Sequence, residues 1–521
     1  MKPARSTGGW RCSRRAREFV LRVTQTRKWS ANASRSFALA GGVLLLLAAA
    51  NTPALAQQRS TSAALIEAGD SALRDDLQWL IDRGVIDFSA ASWPIAKAAL
   101  ADALANRRTS GLSAADQAAL RSVQRTLALD DANFGLELSA GNRAAPRQGF
   151  ESTALARGEA SAYVQGESGR LAGKLKVNGL HAPLTDKQSS VTWDGSYVSA
   201  ELLGQLVYAG QLERWWGPGH DQSLIWSNAA PSIPGLGVRR AGEQAPRTEW
   251  LSWIGPWGYD VFVGRLPHYT SNPGARLFAA RLYARPIQGL EIGASRLIQW
   301  GSGDSGVGAL GDALLGRAND PTRPANNEAA GFDLRYRLLV AGNPLALYGQ
   351  LVGEDEAGLW PSKYTGLLGA GYGHSWMGAR LQWHAEAADT KASRLFRGTA
   401  AGIGRVAYRH SRYRDGLYVD GLPIGAGIGG DGRIYSAGVS VAPDGSASDL
   451  RYSLKLMQAA VNESAFGGNM AYAEPGDFRG AEVAIDWRVR STKWRLGLGA
   501  LRGDARPHAF GANLSVKLPL D

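Results

Sequence analysis

The 521-residue chain has one cysteine, Cys12. It lies upstream of an apolar run that reads as a secretory signal, so residues 57–521 carry no thiol, which excludes disulfides, thiol catalysis and cysteine-ligated metals there. No apolar run is long enough for a spanning helix. Phe37–Ala50 is 14 residues long, short of the ~20 that a bilayer requires, and it is followed by the small-x-small cleavage pattern Ala54-Leu55-Ala56. Residues 1–56 are therefore read as a signal peptide with a long basic leader, whose length suggests a start misassigned upstream, and a retained anchor is disfavoured. Positive charge is also scarcer than the total implies. Nine of the twelve net positive charges fall within residues 1–56, and no dense Lys/Arg cluster follows residue 60, which argues against a nucleic-acid partner. Gly-x-Ser-x-Gly and His-Glu-x-x-His are both missing. In His410-Ser411, adjacent residues on a strand would point to opposite faces, so the pair does not form a nucleophile and base. No cofactor is implied and the chain is read as non-catalytic.

Glycine, by contrast, is abundant, at 65 residues against the ~36 expected at ordinary usage, and aromatic residues accompany a mean hydropathy of only −0.20. That mixture suits turns, bulges and aromatic girdles. From about Ser60 to Asp131 the pattern is helical. Leu73, Leu77, Leu80 and Ile81 share a face, with Asp70 or Ser71 as N-cap and Gly84 as the stop. A second helix is expected to start behind Ser92 and to carry Ile95, Leu100 and Leu104. A third opens with a Ser113–Asp116 capping box. After Phe134 the period falls from 3.6 to 2. In Glu482–Arg490, Val483, Ile485, Trp487 and Val489 alternate with polar or small residues, and the same pattern recurs at Leu175 and Val177, at Tyr452, Leu454 and Leu456, and to the C-terminus.

A strand-rich chain crosses a membrane only as a closed barrel, apolar outside and polar inside, because every backbone N–H and C=O must be paired internally. The fold expected is an all-β transmembrane barrel of antiparallel strands with a small N-terminal α-helical domain: signal peptide 1–56, periplasmic helical bundle 57–131, outer-membrane barrel 132–521. A soluble sandwich or propeller would also alternate, but seldom with so much charge on the second face. The C-terminal Leu520-Asp521 departs from the aromatic end common in such barrels. Gly301–Ala330 and Gly425–Gly432 read as extended surface loops.

The most informative stretch is Glu213–Arg240, ERWWGPGHDQSLIWSNAAPSIPGLGVRR. Its tandem Trp, Gly-Pro-Gly, Ser-Leu-Ile and Ser-Asn run and its Pro turn ending in Arg resemble the Wzi family of capsule-assembly outer-membrane proteins. Gln350–Lys363 (QLVGEDEAGLWPSK), Glu386–Thr390 (EAADT), Tyr408–Gly421 (YRHSRYRDGLYVDG) and the helical opening with Asp76-Leu77-Gln78-Trp79-Leu80 and Trp93-Pro94 extend the resemblance over most of the chain. The resemblance implies about eighteen strands, a periplasmic bundle, and a role in attaching or organising capsular or extracellular polysaccharide at the cell surface. Trp215 and Trp216 could stack on sugar rings while Arg214, Asp221, Asn228, Arg239 and Arg240 bond hydroxyls or acidic sugars. Equally, the Trp pair could sit at the membrane interface and Gly-Pro-Gly could shape an inward fold. Glu354, Asp355 and Glu356 form an acidic cluster that suits either Ca²⁺ or, as the preferred reading, lumen arginines. The competing function is a porin-like channel for small solutes or oligosaccharides. The expected partners are polysaccharide and outer-membrane lipid, around a monomer.

Overall fold

The computed structural model describes residues 62–301, 307–314, 326–357, 360–393, 406–445, 449–464, 469–472, 474–504 and 509–520. The signal-peptide assignment to 1–56 lies outside them. Residues 134–520 form a closed antiparallel barrel, with eighteen strands among the described residues when Val191–Thr192 and Tyr197–Leu202 are counted as one interrupted strand. Closure joins the last strand, Ala509–Leu520, to the first, Phe134–Gly141, in a register running from Leu520 opposite Phe134 to Asn513 opposite Gly141. Among the described residues every strand of the barrel is paired on both sides, which is the condition for crossing lipid. Arg276–Ile287 is 12 residues long and Asn327–Val340 is 14, longer than the ~9 to 11 a tilted membrane strand needs.

The alternation maps onto the two faces of the wall. Leu136, Leu175, Leu334, Leu454 and Val483 are exposed on the outside, with Phe332 at 64% and Leu368 at 73%, while arginines and acids turn inward. Arg281 and Asp333 form a buried two-pronged pair across the lumen face, at 2.6 and 3.0 Å. Glycine enrichment has a local cause in this wall. Tyr163, Tyr208, Tyr283 and Tyr348 each lie flat over the glycine directly opposite on the next strand, Gly135, Gly237, Gly258 and Gly369 respectively. A Cβ at Gly237 would come within 2.2 Å of the Tyr208 ring, so these positions exclude any side chain.

The two ends of the barrel differ. At one, strands join through two-residue turns such as Leu203-Gly204, Ala341-Gly342 and Met377-Gly378, with both residues at positive φ, the hairpin turn whose twist matches the strands. At the other lie most of the long connections, including 142–155, 211–234, 266–275 and 406–432, whereas the long connection 241–256, with its short helix Glu249–Ile254, lies at the short-turn end. Three helices, α1 (Ser71–Asp82), α2 (Lys97–Ala105) and α3 (Ala114–Asp130), sit at the short-turn end. Asp70 caps α1, Gly84 follows its end at φ +63°, and Ser113 and Asp116 form a reciprocal capping box on α3. Lys97 to Glu167 at 3.2 Å, Arg125 to Asp449 and Lys517 to Asp130 at 2.7 Å fasten the helices to the rim.

The second helix departs from expectation. It starts at Lys97, not behind Ser92, because Ser92-Trp93 pairs as a short strand with Trp215-Trp216 and Pro94 then interrupts the chain. The 301–330 break holds a short helix, Val307–Leu314, and its last residues already belong to the strand Asn327–Val340. Residues 425–432 are buried throughout, so that stretch is an inward fold and not a surface loop.

Asp70 ties helix α1 to the wall. Burial pushes its carboxyl up, but Lys493 at 2.6 Å and the Leu73 amide at 3.0 Å prevail and hold it down to about 2. Its native value lies below the unfolded one, so its stabilising contribution is complete above about pH 4 and is lost as pH falls towards 2. A pH titration of protease access to α1 is expected to show loosening in that window, reduced in Asp70→Asn.

Candidate functional site

The connection 211–234 does not stay outside; it folds down into the lumen. Trp215 is 1% exposed and Trp216 0%. The Trp215 indole N–H donates to Gly219 O at 3.1 Å, and its ring meets Phe150 edge-on at 5.3 Å, as does Trp93 at 5.2 Å. Trp216 packs on Trp226 at 5.1 Å. Both rings are spent inside the core, neither stacked on the surface nor placed at the membrane interface.

The polar candidates are equally enclosed. Arg214 donates to Asp260 at 3.0 Å and to the Tyr208 hydroxyl at 2.8 Å, and its guanidinium lies over Phe262 at 4.2 Å. Arg239 approaches the same Asp260 at 3.7 Å. Asn228 donates to Phe150 O and Ser152 Oγ, pinning the 142–155 connection. Arg240 lies apart from these, near the short-turn end, donating to Gln244 O and Trp257 O. Arg214, Trp215, Trp216 and Arg239 are thus brought together; Asp221, Asn228 and Arg240 serve three separate contacts.

The other quoted motifs converge on this inward fold. Gln350 accepts the Leu224 amide at 2.7 Å and donates to Trp216 O at 2.9 Å. Glu386 takes the backbone N–H groups of His220, Asp221 and Gln222, the last two at 2.9 and 3.1 Å, and the Tyr348 hydroxyl at 2.8 Å. Three successive amides aimed at one carboxylate form a backbone nest that fixes the turn. Glu354 accepts the Tyr408 amide with both oxygens at 2.8 Å, and the Tyr408 hydroxyl reaches Leu224 O. Glu354 therefore holds a second inward connection; the side chains of Asp355 and Glu356 lie outside the described residues. His410 caps a turn, accepting the amides of Arg412 and Tyr413.

From the short-turn end, helix α1 enters the same space. Asp76 takes Arg451 at 2.6 Å and Arg380 at 3.0 Å; Asp75 takes Arg451 at 3.1 Å; Asp82 takes both prongs of Arg335 at 2.7 and 2.8 Å. Arg74 reaches the carbonyls of Gly219 and His220, joining α1 to the inward fold. At that junction His220 and His384 stack at 3.8 Å, with His384 Nε2 on Asp221 at 2.9 Å and His220 Nε2 on Asp75 at 3.3 Å. Burial would lower the His220 pKa, but the carboxylates of Asp221 and Asp75 outweigh it and raise it to about 9. Beside the plug a cavity of about 690 Å³ runs between residues 64–70 and the wall, lined by Lys174, Lys176 and Lys517 against Glu67, Glu137 and Asp194.

Sequence reasoning missed Asp75, Arg380, Arg451 and His384. One signal was available for the first: an Asp-Asp pair inside an amphipathic helix is costly unless charged partners surround it.

The family profile described as "Capsule assembly protein Wzi" matches residues 140–502. The chain belongs to the Wzi family. A relative from Klebsiella pneumoniae, described as an uncharacterized 55.8 kDa protein in the cps region, is 31% identical over 470 residues, covering 88% of this chain and 90% of its own. The solved structure of Wzi from Escherichia coli, described as an outer membrane protein involved in group 1 capsule assembly and a carbohydrate-binding β-barrel, is 29% identical. It superposes with a TM-score of 0.79, covering 88% of this chain and 100% of that one. The eighteen-strand barrel is thus the fold of the Wzi family, and described residues of the motifs that carry the resemblance, among them Trp216, Gln350, Glu354, Glu386 and Tyr408, meet in the inward fold.

Replacing Asp76 by Asn removes the carboxylate shared by two buried guanidinium groups, a loss of roughly 3 kcal/mol or more. The expected result is protease cleavage between α2 and α3 in a barrel that still resists unfolding in SDS; cleavage unchanged from the parent would contradict this.

Proposed function

We propose that this Wzi-family chain is a closed outer-membrane barrel that attaches or organises capsular or extracellular polysaccharide at the cell surface by binding, without catalysis. The observation that carries the reading is the doubly filled lumen, with helix α1 entering from one end and the 211–234 and 406–432 connections from the other. A barrel filled in this way offers polymer its rim, not its bore. Bacterial barrels place short turns on the periplasmic side and long loops outside, and this supports reading the helical domain as periplasmic and the long connections as facing the cell exterior. The barrel would act as a monomer surrounded by lipid.

In this reading the residues Arg214, Trp215, Trp216, Asp221, Asn228, Arg239 and Arg240 act on polysaccharide indirectly, by holding the shape of the rim. Direct contact falls to the segment 409–416. Asp415 accepts the amides of Thr270 and Ser271 at 3.0 and 2.8 Å, tying that segment to the neighbouring connection. On either side of Tyr413, Arg412 and Arg414 are exposed and have no side-chain partner among the described residues. Free guanidinium groups on a fixed loop suit the planar carboxylates of acidic sugars.

The test is the ratio of cell-attached to released polysaccharide in a deletion strain, its complemented parent, and an Arg412→Ala/Arg414→Ala strain. Deletion is expected to leave total polymer unchanged and shift it into the medium, and the double variant to shift it partly. Unchanged attachment in the deletion strain would refute the reading.

A further inference from the structure

We propose that His220, Asp221 and His384 form a binding site for a late first-row divalent transition-metal ion, with zinc as the reference case. Their donor atoms all lie within 4.8 Å of one another. Two imidazoles and one carboxylate make a donor set that such ions prefer and that leaves a coordination position open to water. The residues come from two distant parts of the chain, the inward fold and the wall strand Ala379–Ser393, and are not products of local sequence.

Three further features distinguish the group from an ordinary lumen ion pair. Asp75 engages His220 Nε2, the outer carboxylate that metal-bound histidines characteristically have, and this turns Nδ1 towards Asp221. His220 Nδ1 is itself buried without a hydrogen-bond partner. The backbone beneath the two ligands at 220 and 221 is fixed by Glu386, so the site is preorganised on that side. A cavity of about 230 Å³ bordered by His220, Asp221 and His384 provides the entry path and room for water ligands.

Binding requires the stacked rings to turn apart, since metal–ligand distances of about 2.0 to 2.2 Å bring donor atoms to roughly 3.3 Å from one another. Lys455, 4.0 Å from Asp221, does not block this, because it is held by Glu482 and Gln148 O, both at 2.8 Å. A bound ion would join the inward fold, the wall and, through Asp75, helix α1 at one point.

The test uses the full mature chain in detergent micelles, purified without a histidine tag, titrated with ZnCl₂ by calorimetry and with Co²⁺ by visible absorption. One ion per chain is expected, with tetrahedral-type cobalt bands. His220→Gln and His384→Gln should each weaken binding at least tenfold, and Asp75→Asn about tenfold, all three keeping the parent's SDS-resistant band. Absence of stoichiometric binding at millimolar zinc would overturn the proposal. So would binding that both histidine variants leave unchanged, which would place the ion at surface histidines.

Discussion

The carboxylates of Asp75 and Asp76 on one helix meet Arg380 and Arg451 on the barrel wall, and the seat of that helix inside the barrel depends on that meeting. Barrels of this size otherwise enclose water. A polar wall filled by an apolar helix would leave guanidinium groups without partners, so the helix that fits must bring its own acids. Removing either side leaves a buried charge exposed to the other's absence, which makes the two parts interdependent.

The same logic organises the connections from the opposite end. Glu386 and Gln350 reach inward from the wall and capture backbone amides of the 217–224 turn, while Glu354 captures Tyr408. Polar wall residues here serve as docking points for main chain, whose amides need partners wherever they are buried. This explains why Gly, Pro and Ser crowd the inward fold, where short side chains let the backbone approach. It also explains why the tryptophans within it are sequestered.

Much of the fold was legible because it rests on local rules. The change of period at Phe134, the Asp70 cap and the Ser113–Asp116 box are readable from residues a few positions apart. The site was less so. Trp215 and Trp216 look the same in sequence whether they stack on a sugar, face a headgroup or fill a core, and only the antiparallel pairing with Ser92-Trp93 decides between these. His384 carries no local signature, since its partner Asp221 is 163 residues away. The expected second helix failed because a capping serine and a strand-pairing serine are the same residue in different company.

If the lumen is closed by these contacts, the purified chain in a planar lipid bilayer will show no steady open level. Single-channel recording in salt tests this most directly. A silent bilayer is the result the account predicts; a large stable conductance from the parent chain would contradict it.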